Sequence, residues 1–314
     1  MPRNKKIRIV YLATPDIALK SLEYLYDSDQ IEVCAVVTQP DKPAGRGKKI
    51  KMPPVKEFAV SKNIPVFQPK SLKKDTAVIE TLKKIKPDFF VTFAFGQILS
   101  QEVLDVPKFE TINLHASLLP KYRGANPIQR AIIAGEKETG ICTMITELGL
   151  DCGDICLKET VQIPEDMTCV DLAERIAQNS PELIEKTLIE IYEGKLIPTP
   201  QCEDGICIAA KLDKSEAKID WSKPSKEIHN LVRGIYKSPS AYFIFNNKMI
   251  KVLKTEIVQN CVCCGEAVGE IIKSPKNDVI IRTGDGFIKL LTVKPEGKNE
   301  MRANDWYNGA KNAN

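Results

Sequence analysis

Apolar residues fall in two rhythms along this chain. Continuous apolar runs, such as Ile7-Arg-Ile-Val-Tyr-Leu-Ala13 and Val33-Cys-Ala-Val-Val-Thr38, are separated by a stretch that repeats at helical spacing through Ala18, Leu19, Leu22 and Leu25. The first rhythm predicts strands buried on both faces, the second an amphipathic helix. Strand, helix and strand in that order make a βαβ unit, so a parallel sheet covered by helices is expected. The pattern continues with helices over 55–61, 76–85 and 128–134, and strands over 64–67, 87–94 and 111–114. Segments 139–146 and 154–161 read as a late strand pair. Thr168 to Tyr192 reads as a long helix through Leu172, Ile176, Leu183, Ile184 and Leu188. Pro181 is expected to interrupt or restart it, because proline has no N–H and crowds the preceding turn.

Past residue 210 the rhythm changes. Residues 195–210, with Pro198 and Pro200, read as a linker, and 222–236 contains one amphipathic helix. Short strands are predicted over 241–246, 249–255, 268–274, 279–282 and 287–293, separated by turn residues such as Asn246-Asn247 and Gly284-Asp-Gly286. Short strands at this spacing predict a small antiparallel, OB-like β-barrel. The expected fold class is α/β: a Rossmann-like, mostly parallel sheet over 1–194, a linker over 195–210 and the OB-like barrel over 211–314.

Composition narrows the picture. With 43% hydrophobic and 27% charged residues in 314, the chain is ordinary globular protein. Ten cysteines are too sparse for a disulfide scaffold, which favours a reduced, cytoplasmic setting. No apolar run approaches the ~20 residues of a membrane helix, so no membrane partner is expected. The N-terminus has no long apolar segment before a small-residue cleavage site, so no signal peptide is expected. After residue 210 there are 18 Lys/Arg against 12 Asp/Glu; before it, 27 against 29. A basic back half suits a polyanionic partner. Segment 39–54 holds four prolines, two glycines and five basic residues against one Asp. It is expected to be a loop on the ligand side of the sheet, suited to a phosphate backbone. The first strand-to-helix turn, Ala13-Thr14-Pro15-Asp16, contains no glycine, which excludes a dinucleotide fingerprint there.

The chain has two histidines. His229 sits in an amphipathic helix beside Ile228 and is expected to be structural. His115 follows Asn113 by two residues, so both side chains leave a strand end on one face. Imidazole exchanges a proton near neutral pH, and an amide N–H can support a developing oxyanion. Asp151, in the loop Glu147-Leu-Gly-Leu-Asp-Cys-Gly153, could orient the imidazole or take a proton through water. Ser117 is near, but no G-x-S-x-G surrounds it. Direct attack by a substrate nucleophile therefore fits better than a covalent enzyme intermediate. Around Cys261-Val-Cys-Cys264, with Cys202 and Cys207, the C-x-x-C pairs with flanking histidines that mark strong zinc sites are absent, and no metal is expected.

The stretches Asn113-Leu-His-Ala-Ser-Leu-Leu-Pro-Lys-Tyr-Arg-Gly124, Pro127-Ile and Leu150-Asp-Cys-Gly-Asp-Ile155 resemble the signature of the folate-dependent formyltransferases, and the likeness extends over the whole chain. This resemblance implies a catalytic domain with Asn113, His115 and Asp151 as the catalytic set and 10-formyltetrahydrofolate as formyl donor. Ser117, Leu118, Leu119 and Pro120 match the family's folate-site segment. The pterin would lie by the backbone of Phe95, Gly96 and Gln97, continuing to Leu99, and of 147–151. The basic insertion Ala44–Lys49 and the barrel-like back half resemble the members that act on initiator methionyl-tRNA. Arg46 matches a loop residue used on the acceptor stem; Lys48, Lys49 and, in the back half, Arg233 are the other expected tRNA contacts. A monomer is expected. The alternative within the family is a formyltransferase acting on an amino-sugar nucleotide, which would not be expected to carry the basic loop.

Overall fold

The computed structural model describes residues 5–44, 49–258, 266–273 and 278–311. The chain divides into two compact units: Met1–Gly124 with Glu138–Gln162 and Ala173–Ile208, and Ala125–Lys137 with Ile163–Leu172 and Ala209–Asn314. The strands of the first are β1 (Ile7–Ala13), β2 (Ile31–Val37), β3 (Lys42–Ala44), β4 (Lys49–Lys51), β5 (Val66–Phe67), β6 (Phe89–Phe93), β7 (Thr111–His115), β8 (Arg123–Gly124), β9 (Glu138–Ile145) and β10 (Ile155–Gln162). The helices up to residue 192 are α1 (Leu19–Asp27), α2 (Pro54–Ser61), α3 (Thr76–Ile85), α4 (Gln101–Leu104), α5 (Pro127–Ile133) and α6 (Cys169–Tyr192).

A seven-stranded sheet runs in the order β10-β9-β7-β6-β1-β2-β5. Strands β5, β2, β1, β6 and β7 are parallel, whereas β9 runs antiparallel to both β7 and β10. The apolar runs that announced the strands lie at its centre: Ile9 to Ala13 and Phe89 to Val91 are fully buried. After β1 the chain builds β2 and β5 on one side, then returns to lay β6 and β7 on the other. The strand order therefore reverses beside β1, and the crevice past the C-terminal ends of β1 and β6 is where such sheets receive ligands. The two loops meet there: Thr14 Oγ1 donates to the Phe95 carbonyl at 3.2 Å. Strands β3 and β4 make a separate two-stranded ribbon within the basic segment. Arg46 and Lys48 lie outside the described residues, as does Cys261–Cys264.

Two features depart from expectation. Pro181 does not interrupt α6, which is continuous over 24 residues. The carbonyl that proline cannot serve, that of Ala177, accepts the Ser180 hydroxyl at 3.1 Å instead. Residues 195–210 are also more than a linker. Thr199 bridges to Ile155 at the start of β10, and the segment ends in a short strand, β11 (Ile208–Ala209).

The second unit contains α7 (Ser225–Gly234), β12 (Ala241–Phe245), β13 (Lys248–Val258), β14 (Ile271–Lys273), β15 (Val279–Arg282), β16 (Phe287–Pro295), β17 (Met301–Arg302) and α8 (Ala303–Lys311). All expected strands are present, in the antiparallel order β12-β13-β16-β15-β14, with β17 on β16. Register shifts around Lys254 bend β13 against β16, and the sheet curls into a half-barrel. Ile228 and Val232 of α7, Phe243, Ile250 and Ile288 of the strands and Trp306 of α8 share its core. Strand β17 and α8 are not foreseen, because residues 296–311 are mostly polar and glycine-containing.

Candidate active site

Register places Thr92 of β6 opposite Asn113 of β7. The Thr92 hydroxyl donates to Asn113 Oδ1 at 2.8 Å. That bond fixes which way the amide faces, and its Nδ2 has no hydrogen-bond partner among the described residues. Two residues on, His115 is 5% exposed. Its Nε2 lies 2.9 Å from the carbonyl oxygen of Tyr122. A carbonyl only accepts, so Nε2 carries the hydrogen and, in the neutral ring, Nδ1 is the bare acceptor. Nδ1 faces Asp151 Oδ2 at 3.5 Å. The same carboxylate oxygen accepts the Gly124 N–H at 2.8 Å.

The sheet brings the three expected residues together, but by unlike routes. Asn113 and His115 share a face of β7. Asp151 arrives from the loop after β9, which is antiparallel and ends with Ile145 opposite Ile112. A rule based on the C-terminal ends of parallel strands does not place it. Its backbone is left-handed, with φ of 46°, as is that of Tyr122 at 62°. Such angles are uncommon without glycine and persist where surrounding bonds hold them. Gly153 closes the same loop, and a Cβ there would stand 2.1 Å from the Ile145 carbonyl oxygen.

The expected cofactor segment is mostly turned inward. Ser117 is buried and its hydroxyl donates to the Lys121 carbonyl at 2.6 Å. Leu119 packs with Cys142, Met144 and Ile155. Its carbonyl accepts from Lys158 Nζ at 2.7 Å. The Cys142 thiol donates to the Ser117 carbonyl at 3.0 Å, and burial pushes its pKa up to about 11, so it stays neutral. Leu118 and Pro120 are half-buried and keep some surface open.

In the loop after β6, Phe95 is buried, and the Gln97 amide is spent on Leu72 N–H and the Pro69 carbonyl. The Phe95 and Gly96 carbonyls are held by Gln39 Nε2 at 3.0 and 3.3 Å. This loop therefore offers backbone and an exposed Ile98, not polar side chains. The loop around Asp151 likewise exposes Leu148 and Leu150, at 63% and 60%.

Arg233 is a correction. It was expected on a tRNA-binding surface, but it is 5% exposed. Its Nε donates to Asn230 Oδ1 at 2.9 Å, and Nη1 to the carbonyls of Pro164 and Met167 at 3.3 and 3.1 Å. It ties α7 to segment 164–167 inside the second unit. Exposed lysines of that unit, including Lys218, Lys223 and Lys237, present its positive charge instead. His229 is buried, bonded to Thr255 Oγ1 at 2.9 Å and the Glu165 carbonyl at 3.2 Å.

Among the described residues there is no group of three His, Cys, Asp or Glu side chains arranged to hold a metal, and no helix long and apolar enough to cross a membrane. Two residues that hold the site, Thr92 and Gln201, carry no local signal in the sequence. Gln201 donates from Nε2 to the carbonyls of Asp151 and Gly153 at 2.9 and 2.8 Å. Its Oε1 accepts from Arg123 Nε and Nη2 at 3.0 and 2.8 Å.

A Rossmann-like sheet without a dinucleotide turn, followed by a curled β half-barrel, defines a two-domain α/β protein whose chemistry lies at the ends of the sheet strands. Comparison with known proteins narrows this further. The sequence model described as "Formyl transferase" matches residues 5–188, and that described as "Formyl transferase, C-terminal domain" matches residues 211–311. The chain belongs to the formyl transferase family. It is 46% identical over 303 residues to the methionyl-tRNA formyltransferase of Clostridium acetobutylicum, covering 96% of each chain. It is 41% identical over 303 residues to that of Caldanaerobacter subterraneus subsp. tengcongensis, covering 96% of this chain and 97% of the relative. Among solved structures, the N-formyltransferase of Helicobacter canadensis, in complex with folinic acid and dTDP-3-aminofucose, shares the fold with a TM-score of 0.67 at 22% identity, over 91% of this chain and 99% of its own.

Proposed function

We propose that this chain transfers the formyl group of 10-formyltetrahydrofolate to the α-amine of methionyl initiator tRNA. Identity of 46% across 96% of both chains carries the choice of acceptor. The site supports the chemistry. The Asn113 Nδ2 group, unpartnered among the described residues, suits the oxygen that gains charge when an amine attacks the formyl carbon. His115 Nδ1 and Asp151 Oδ2 are two acceptors facing each other at 3.5 Å, a place for an N–H donor. The attacking amine meets that need: Nδ1 takes its proton as the new carbon–nitrogen bond forms, and Asp151 balances the resulting imidazolium charge. As the bond between the formyl carbon and the donor nitrogen breaks, the proton passes to that nitrogen.

The donor's flat ring suits the exposed apolar side chains Ile98, Leu148 and Leu150 and the backbone of the loop after β6. Leu118 and Pro120 keep the folate-site segment open to it. The tRNA calls for salt-sensitive basic contacts, for which Arg46, Lys48 and Lys49 in the basic segment and, separately, the exposed lysines of the second unit are suited by charge. The test offers methionyl initiator tRNA, glycinamide ribonucleotide and an amino-sugar nucleotide in parallel with 10-formyltetrahydrofolate. Preference for either small acceptor overturns the tRNA reading. His115→Ala should lower transfer by about 100-fold or more while tRNA affinity stays nearly constant. Equal activity in the two proteins would remove His115 from the chemistry.

A further inference from the structure

We propose that Gln201 is a positioning residue for catalysis, acting through Asp151. The inference rests on the formyl-transfer reading of the site. Gln201 lies in the proline-bearing stretch that the sequence marks only as a connector, yet its side chain reaches both strands of chain that define the environment of His115.

A glutamine amide offers two acceptor directions on oxygen and two N–H donors on nitrogen. All four are taken here. Oxygen receives Nε and Nη2 of Arg123, and nitrogen gives to the carbonyls of Asp151 and Gly153. The orientation is forced, since a guanidinium only donates and a carbonyl only accepts. No other side chain of this length satisfies both ends. Glutamate would accept from Arg123 but set an oxygen against two carbonyls, and leucine would leave all four groups unmet.

Each partner of Gln201 adjoins a catalytic contact. Asp151, whose left-handed backbone needs outside support, presents the carboxylate that faces His115 Nδ1. Arg123 lies between Tyr122, whose carbonyl receives His115 Nε2, and Gly124, whose N–H holds the Asp151 carboxylate. Cys207 reinforces the same grip: its Sγ accepts from the Tyr122 N–H at 3.1 Å and its carbonyl from the Arg123 N–H at 3.0 Å. Gln201 thus joins the loop that carries the carboxylate to the loop that sets the imidazole. Its removal leaves every catalytic side chain in the protein but loosens the spacing between Nδ1 and Oδ2.

The test measures kcat and KM for Gln201→Leu and Gln201→Glu in the full chain, each alone and in an Asp151→Asn background. Both single variants should lower kcat by about 10- to 100-fold, the loss that roughly 1 Å of misplacement brings, with donor KM within about threefold of wild type. On Asp151→Asn the same substitutions should cost less than about twofold, because the group they position has gone. A wild-type kcat in either variant overturns the proposal, as does an undiminished loss in the Asp151→Asn background. Amide hydrogen exchange without substrate gives a second readout: residues 149–153 should exchange faster in Gln201→Leu while the central sheet stays protected. Unchanged exchange there overturns the tie even if the protein formylates some other acceptor. Failure of the wild type on methionyl-tRNA strikes only the choice of substrate. Should Gln201→Leu fail to fold, Gln201→Glu, which keeps the bond to Arg123, carries both measurements.

Discussion

Thr92 and Asn113 face each other across β6 and β7, and a single hydroxyl-to-carbonyl bond of 2.8 Å fixes which end of the Asn113 amide is oxygen and which is nitrogen. Thr92→Val keeps the shape of the strand and deletes that bond. A lost hydrogen bond of about 1 kcal/mol corresponds to roughly fivefold, so kcat should fall by about that factor with KM little changed. Steady-state kinetics on the purified variant decides it: an unaltered kcat means the amide needs no such guide.

His229 gives a pH dependence of known sign. Burial holds its pKa below the ordinary 6.5, so the folded protein binds this proton less readily than the unfolded chain. Stability from this group is complete above about pH 6.5 and is lost as pH falls below that value toward the lower folded pKa. Thermal melts between pH 8 and pH 5 should therefore decline less steeply in His229→Gln than in wild type. Parallel curves would show that the imidazole does not titrate on unfolding.

Ser180 should matter for stability. Its hydroxyl serves the Ala177 carbonyl left open by Pro181. Ser180→Ala strands a buried acceptor, and a cost of about 1–3 kcal/mol in denaturant unfolding is expected. Pro181→Ala in the same background restores an N–H at that position and should recover most of the loss.

Arg46 can be tested through salt. If it contacts a phosphate, Arg46→Ala should weaken tRNA binding across sequences and reduce the slope of log affinity against log salt by about one. Kinetics with the folate donor should hardly move. An unchanged slope would remove this side chain from the tRNA surface.

Much of this molecule is legible in its sequence, for a physical reason. Apolar runs such as those at Ile7 and Phe89 have one outcome, burial between helices, and the spacing of Asn113 and His115 places both on one strand face. Legibility ends where a single polar side chain decides the structure. Arg233 reads as surface charge because nothing local reveals that the carbonyls of Pro164 and Met167 await it. Gln201 sits among prolines with no periodicity at all. Pro181 reads as a helix breaker because the remedy, a neighbouring serine, lies outside any propensity rule. In each case a partner distant in the chain, or one specific hydrogen bond, overrides the local pattern.

The contacts of residues 199–207 bear on how the protein comes into being. The seven-stranded sheet is complete in sequence by Gln162, yet Thr199 still bridges to Ile155, and Gln201 and Cys207 still grip residues near 123. During synthesis the strands of the sheet therefore emerge before the residues that clasp the catalytic loops, and a fragment cut at residue 188, where the N-terminal family match ends, would lack the clasp. For anyone joining this catalytic unit to a different domain, the useful seam lies beyond Ile208.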